Sequence, residues 1–214
     1  MKLLRKMIVI HFIVLISFYG CQKTDPPTKP PVVTLPDTTS HDFTWQIDVL
    51  GDGNASRLRD VCIIDENDVW AVGEIYVKDS TGAFSDTYNV IHWNGSEWDL
   101  IRIRFPICGT NDTAPFPARA VLAFDPSHIW FTSAGTIYYL NGTSISKMCI
   151  PSDLLPGSIN KLWGDSQNNV YVVGNKGTIV HYNGTSWQKI ESGTDLDIQD
   201  IWGGTDPITG EDII

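Results

Sequence analysis

The sequence predicts an all-β protein made of repeated antiparallel sheets, and three observations carry that expectation. The first is VYVVGNKGTIVHYNGTSW, residues 170–187. It reads as an apolar strand (170–173), a glycine turn (174–177), a second strand (178–182), Asn183-Gly184, and an aromatic opening a third strand. Asn-Gly between alternating segments is the strongest short-range hairpin signal, because a type I′ turn needs positive φ at both central positions. The second is recurrence. Asp68-Val69-Trp70-Ala71-Val72-Gly73 leads to Ile91-His92-Trp93-Asn94-Gly95-Ser96-Glu97-Trp98, and a weaker copy runs from His128-Ile129-Trp130 to Tyr139-Leu140-Asn141-Gly142. The third is that each copy follows an apolar strand ended by an Asp turn: residues 58–64 before Asp65, 118–124 before Asp125, and 159–164 with Asp165. A strand-only unit repeating about every forty residues points to propeller blades. The expected fold is therefore an incomplete β-propeller of about three four-stranded blades, the start of a fourth at 198–204, and an N-terminal closing strand.

In chain order, residues 1–6 are basic and 7–19 form an apolar run of signal-peptide length, too short to span a bilayer comfortably. The run ends at Ser17-Phe18-Tyr19-Gly20-Cys21. Gly20-Cys21 resembles the lipobox of bacterial lipoproteins, while Phe18 and Tyr19 are bulkier than that pattern. The expectation is a signal peptide over 1–20 and a lipid on Cys21, with ordinary secretion or a retained anchor as alternatives. Stable anchoring takes more than one acyl chain. Residues 22–41 carry Pro26, Pro27, Pro30, Pro31 and Pro36, which favour extended geometry, so 21–41 reads as a lipid-bearing tether.

Residues 42–214 hold the repeats. Phe43-Thr44-Trp45-Gln46 precedes Arg59-Asp60-Val61 much as Thr185-Ser186-Trp187-Gln188 precedes Gln199-Asp200-Ile201. Residues 42–50 are thus expected to be an outer strand completing a last blade. The pattern breaks off in the fourth copy, so the repeat region is expected to be a C-terminally truncated piece of a longer propeller, or to close with another chain. Two insertions, 74–88 and 105–117, are rich in loop-forming residues.

The repeat D-V-W-A-V-G…I-x-H-W-N-G-x-x-W resembles the propeller repeats of many bacterial surface lipoproteins. It is more distantly similar to the Asp-box propellers of sialidases and photosystem assembly factors, although the Asp-box itself, S-x-D-x-G-x-x-W, is not matched. The resemblance covers roughly 43–214 and implies a propeller that hosts binders, scaffolds or enzymes.

The formal net charge is −10, from 15 basic and 25 acidic residues. Loss of Lys2, Arg5 and Lys6 with a leader would leave 12 basic against 25 acidic, a net of −13. Such a surface repels phosphate backbones and excludes a nucleic-acid partner.

Candidate chemistry is sparse. His92 and His181 share one repeat position with Tyr139, which reads as strand packing rather than a metal or catalytic site. The Asn-Gly-Ser/Thr triplets at Asn94, Asn141 and Asn183 read as turns rather than glycosylation sites. The acidic turn at residues 65–68 lacks the spacing of a calcium loop. Arg57, Arg59, Arg102, Arg104 and Arg119 are present, yet no motif aims them together. No catalytic residue, metal site or cofactor is assigned.

Among the 4 cysteines, Cys62 falls where later copies have Leu122, Trp163 and Trp202, and reads as a small buried residue. Cys108 and Cys149 each follow the outer-strand region of successive copies, and an exported setting allows a disulfide between them. Binding is expected on the insertions, with Tyr76, Phe84 and Tyr88 as available aromatics. The functional expectation is an exported, membrane-tethered, non-catalytic binding or scaffold module at the cell envelope, on the outer membrane or cell surface, taking a protein or glycan ligand. The alternative is an envelope glycan hydrolase of the sialidase-like kind.

Overall fold

The computed structural model describes residues 44–52, 55–84, 86–206, 208, 212 and 213. The leader, Cys21 and the rest of residues 1–43 lie outside these. Residues 48–214 form one compact unit, and 44–47 belong to another.

Within the compact unit, β1 (Arg57–Asp65), β2 (Asp68–Val77), β3 (Asp86–Trp93) and β4 (Trp98–Ile101) make one sheet in chain order. The strands β7 (Ala120–Asp125), β8 (His128–Ser133), β9 (Thr136–Asn141) and β10 (Ser144–Cys149) make a second. A third contains β11 (Ile159–Ser166), β12 (Asn169–Gly174), β13 (Ile179–Tyr182) and β14 (Trp187–Lys189). All pairings are antiparallel. A small hairpin, β5 (Phe105–Pro106) with β6 (Thr113–Ala114), lies between the first two sheets, and β15 (Gly204–Thr205) pairs with β16 (Asp212–Ile213). No helix occurs among the described residues.

The first strands of the three sheets, β1, β7 and β11, lie next to one another. That adjacency makes the sheets blades, since each meander starts near a shared axis and runs outward. Strand alternation then sorts the side chains. Trp70 and Val72 of β2 pack with Ile129 and Phe131 of β8, while Ala71 faces the opposite side of the first blade with Ile75 and Ile91. One blade later, Trp130 packs with Val170 and Val172 of β12. Trp130 therefore points forward to the third blade while its neighbours Ile129 and Phe131 point back to the first.

Asp60 staples the inner strands. Its Oδ1 accepts from the Val61 N–H at 2.9 Å, its Oδ2 accepts from the Val121 N–H of β7 at 3.0 Å, and Lys161 of β11 pairs with it. The Asp60 side chain is 7% exposed, so this carboxylate depends on those donors in place of water. Cys62 accepts from the Ala123 N–H through sulfur at 3.3 Å, and burial pushes its thiol up.

Glycine in the V-G element has a specific cause. A Cβ on Gly73 would lie 2.0 Å from the Arg57 carbonyl oxygen, and one on Gly174 would lie 2.2 Å from that of Ser158. Both sit where the first strand slips register, between Leu58 and Asp60 and between Ile159 and Lys161, so two backbones close on each other.

Four expectations are corrected. The Asn-Gly turns are not type I′. Only their glycines, Gly95 (φ 91), Gly142 (φ 59) and Gly184 (φ 86), adopt positive φ, and Asn94 and Asn183 instead use their side-chain oxygens to accept the N–H groups of Ser96 and Glu97 and of Thr185 and Ser186. Residues 74–88 are not a free loop. β2 and β3 continue through Val77 and Asp86 because Ile75, 1% exposed, gives the extension a buried side, leaving only the tip as loop. Of the expected strand 42–50, residues 42 and 43 lie outside the described residues, 44–50 form no strand, and Val49 is 84% exposed. In the fourth copy, 198–203 runs without ladder pairing and Trp202 is 79% exposed, whereas its counterparts Cys62, Leu122 and Trp163 are half-buried.

Candidate functional site

The connection from β4 to β7 shapes an open concavity. Residue Asn89 of β3 holds it: its Nδ2 donates to the Ile103 and Phe116 carbonyls at 2.8 and 2.7 Å, and its Oδ1 accepts from the Ile103 N–H at 2.9 Å. At 2% exposure Asn89 is buried with both ends of its amide partnered, which fixes the path of the connection at two points. Further out, Arg104 donates to the Thr113 hydroxyl and carbonyl at 3.1 and 2.7 Å, and the Lys147 ammonium donates to the Ile107 and Thr110 carbonyls. Cys108 is disulfide-bonded to Cys149 at the end of β10, with 6.1 Å between Cα atoms.

Beneath this strapped segment lies an open cleft of about 440 Å³, between the first two blades. Ile107, Cys108, Phe116 and Pro117 come from the connection, Glu74 from β2, and Tyr138 from β9. Phe116 is 41% exposed while Tyr138 is buried, and that burial pushes the Tyr138 phenol up. The cleft therefore offers an apolar wall with a polar rim. On the rim, Arg59 donates to Glu74 at 2.7 Å, and this hydrogen bond holds the Glu74 carboxyl below its usual value.

A second, polar groove of about 300 Å³ adjoins the first through shared Arg59 and Arg119, and is otherwise lined by Arg57, Leu58, Asn160 and Gln199. Three arginines that no motif aims together in the sequence thus converge. Strand register explains it: Cys62, Leu122, Trp163 and Trp202 are matching positions, which makes Arg59, Arg119, Asn160 and Gln199 matching positions as well. Arg59 and Asn160 stand on β1 and β11, Arg119 directly precedes β7, and Gln199 lies on the unpaired run after β14.

The aromatics expected on the first insertion do not meet in the cleft. Tyr76 lies on β2 opposite Thr87, with its hydroxyl 3.4 Å from Glu74 Oε2. Phe84 is at the hairpin tip under the Lys78 ammonium, 5.3 Å from the ring centre. Tyr88 packs beside Ile75 and Ile91 on the far side of the first blade. Of the expected regions, 105–117 supplies the cleft wall and 74–88 contributes Glu74, while Arg59 and Arg119 come together without a motif and Tyr138 is not among the expected residues. The available signal was the alignment of inner strands, which places two arginines in register.

His92 stacks on Trp70 at 4.1 Å and shares Asp68 Oδ1 with the Trp70 indole, each at 2.8 Å. His181 repeats this, stacked on Tyr171 at 4.2 Å with Nε2 2.7 Å from Asn169 Oδ1. These are packing positions. Among the described residues no group of three metal-ligating side chains gathers.

No protein-family model matches the chain, and no curated protein matches it. Among solved structures, YCF48 bound to D1 peptide resembles it with a TM-score of 0.45 and 17% identity, over 66% of this chain and 41% of that chain.

Proposed function

We propose that the chain is a non-catalytic binding module of propeller blades, exported and held at the cell envelope by a lipid on Cys21, with residues 22–41 as spacer. The strapped cleft between the first two blades carries this reading. A connection pinned by a disulfide, a buried asparagine and a lysine is pre-organised, which lowers the ordering cost of a ligand. Its wall of Phe116, Pro117, Ile107 and Tyr138 suits apolar side chains of a protein segment, and its arginine–glutamate rim suits polar ones. The test is selection of binders from a random peptide library on the purified chain, repeated with Phe116→Ser. Peptides lost on Phe116→Ser support the module, whereas a library yielding none, or binders indifferent to that substitution, contradicts it.

One observation favours a second reading, a sialidase-like envelope glycan hydrolase: Arg57, Arg59 and Arg119 converge on one groove. A retaining reaction of the usual kind needs two carboxylates facing one sugar. Turnover of a panel of glycosides, including sialosides, decides it.

A further inference from the structure

The polar groove beside the cleft has its own chemistry. Three of the chain's six arginines line it, in a protein whose formal charge is −10. Glu74 occupies Arg59. Among the described residues, exposed Arg57 stands across the ladder from the Glu74 that Arg59 already holds, and Arg119 has no ion-pair partner and is half-buried with only its backbone N–H engaged, on the Thr132 carbonyl at 2.8 Å. A half-buried guanidinium without an acceptor is costly to keep, and its fork-shaped donors match a carboxylate in two-point geometry. Asn160 is held in place by donating to Asn175 Oδ1 at 2.8 Å and to the Ile198 carbonyl at 3.0 Å, which fixes the floor of the groove.

Resting on the binding-module reading, we propose that Arg57 and Arg119 receive a carboxylate of an acidic protein segment whose neighbouring apolar side chain enters the 440 Å³ cleft. Two observations favour a peptide over an acidic sugar. The carboxylate groove opens directly into an apolar wall through shared Arg59 and Arg119, and that wall is lined by Phe116, Pro117 and Ile107. Alternating acidic and apolar side chains on an extended segment would satisfy both at once. The surrounding negative surface repels acidic segments elsewhere and concentrates their binding at this groove.

The test measures binding of a fluorescent peptide of alternating Glu and Leu, capped at both ends, to the full chain in detergent. Its counterpart carries Gln in place of Glu. The expected results are that the Glu peptide binds at least about tenfold more tightly than the Gln peptide, and that added salt weakens the Glu peptide. Arg57→Gln and Arg119→Gln should each lose about tenfold, Arg119→Lys should fall between, and Lys189→Gln should bind like the parent. Unchanged thermal melting of the arginine variants verifies that they fold. Equal binding of the Glu and Gln peptides overturns the carboxylate while leaving the module standing, because both would still be lost on Phe116→Ser. Binding of free N-acetylneuraminic acid in preference to the Glu peptide overturns it in favour of a sugar acid. Displacement of the peptide by dilute inorganic phosphate overturns it in favour of a small-anion site.

Discussion

The seam between the first and second blades and the seam between the second and third have the same design and different endings. Both are built from a forward-pointing tryptophan against backward-pointing side chains of the next blade, Trp70 against Ile129 and Phe131 in one and Trp130 against Val170 and Val172 in the other. In the second seam, the short connection after β10 turns back on itself, with the Leu154 N–H donating to the Pro151 carbonyl at 3.0 Å, and Leu154 and Leu155 pack into the cluster. In the first seam, the longer connection is strapped above the blades by the disulfide, Asn89 and Lys147, and a cleft remains beneath it. The difference teaches that repeated packing supplies the scaffold, and that what is grafted onto one seam supplies the candidate site.

Breaking either seam should cost about the same. Phe131→Ala, at a ring with 0% exposure in the first seam, should lose about 3–5 kcal/mol of unfolding free energy, and Leu162→Ala in the second about 2–5 kcal/mol. Denaturant titration measures both. A much smaller loss at Phe131 would mean that the first seam is not a packed core.

Cutting the strap separates the seams. Cys149→Ser should lower stability by about 2–4 kcal/mol and weaken peptide binding at the cleft, and reducing agent should do the same to the parent chain. Peptide mapping under non-reducing conditions that finds both cysteines as free thiols contradicts the strap.

The stacked histidines test the repeat itself. His92→Ala and His181→Ala should each cost about 0.5–1.5 kcal/mol, by similar amounts, since both remove a ring stacked on the second strand of a blade. A loss confined to one of them would mean that the two blades are not equivalent there.

The smallest effect is in acid. The Glu74 carboxyl is held below 4.5 by Arg59, so its contribution to stability is present above that pH and is lost as pH falls through the depressed value. Arg59→Gln should flatten this acid-side decline in a pH series of thermal melts. The exposed Asp125, held at about 2 by Ser127 and His128, should add a decline of the same sign between 3.8 and about 2, which Ser127→Ala reduces.

The sequence made the blades legible and the site nearly illegible. Periodicity, the V-G elements and the Asn-Gly turns located the hairpins, because strand alternation and backbone conformation are local properties. The turn type was missed because Asn94 and Asn183 could either take positive φ or accept neighbouring N–H groups, and they do the latter. The extension of β2 was missed because its loop-like composition hides one buried residue, Ile75. Convergence of Arg59 and Arg119 depends on two strands sixty residues apart lying side by side, which only the register of the repeats could have suggested.

The claim beneath all of this is that β1, β7 and β11 surround one axis. Asp60 and Lys161 are 101 residues apart and meet only in that arrangement. A double-mutant cycle with Asp60→Asn and Lys161→Met, read by denaturant unfolding, tests it directly. The account predicts a coupling energy of about 1 kcal/mol or more, whereas single-mutant effects that add to within about 0.3–0.5 kcal/mol would contradict it.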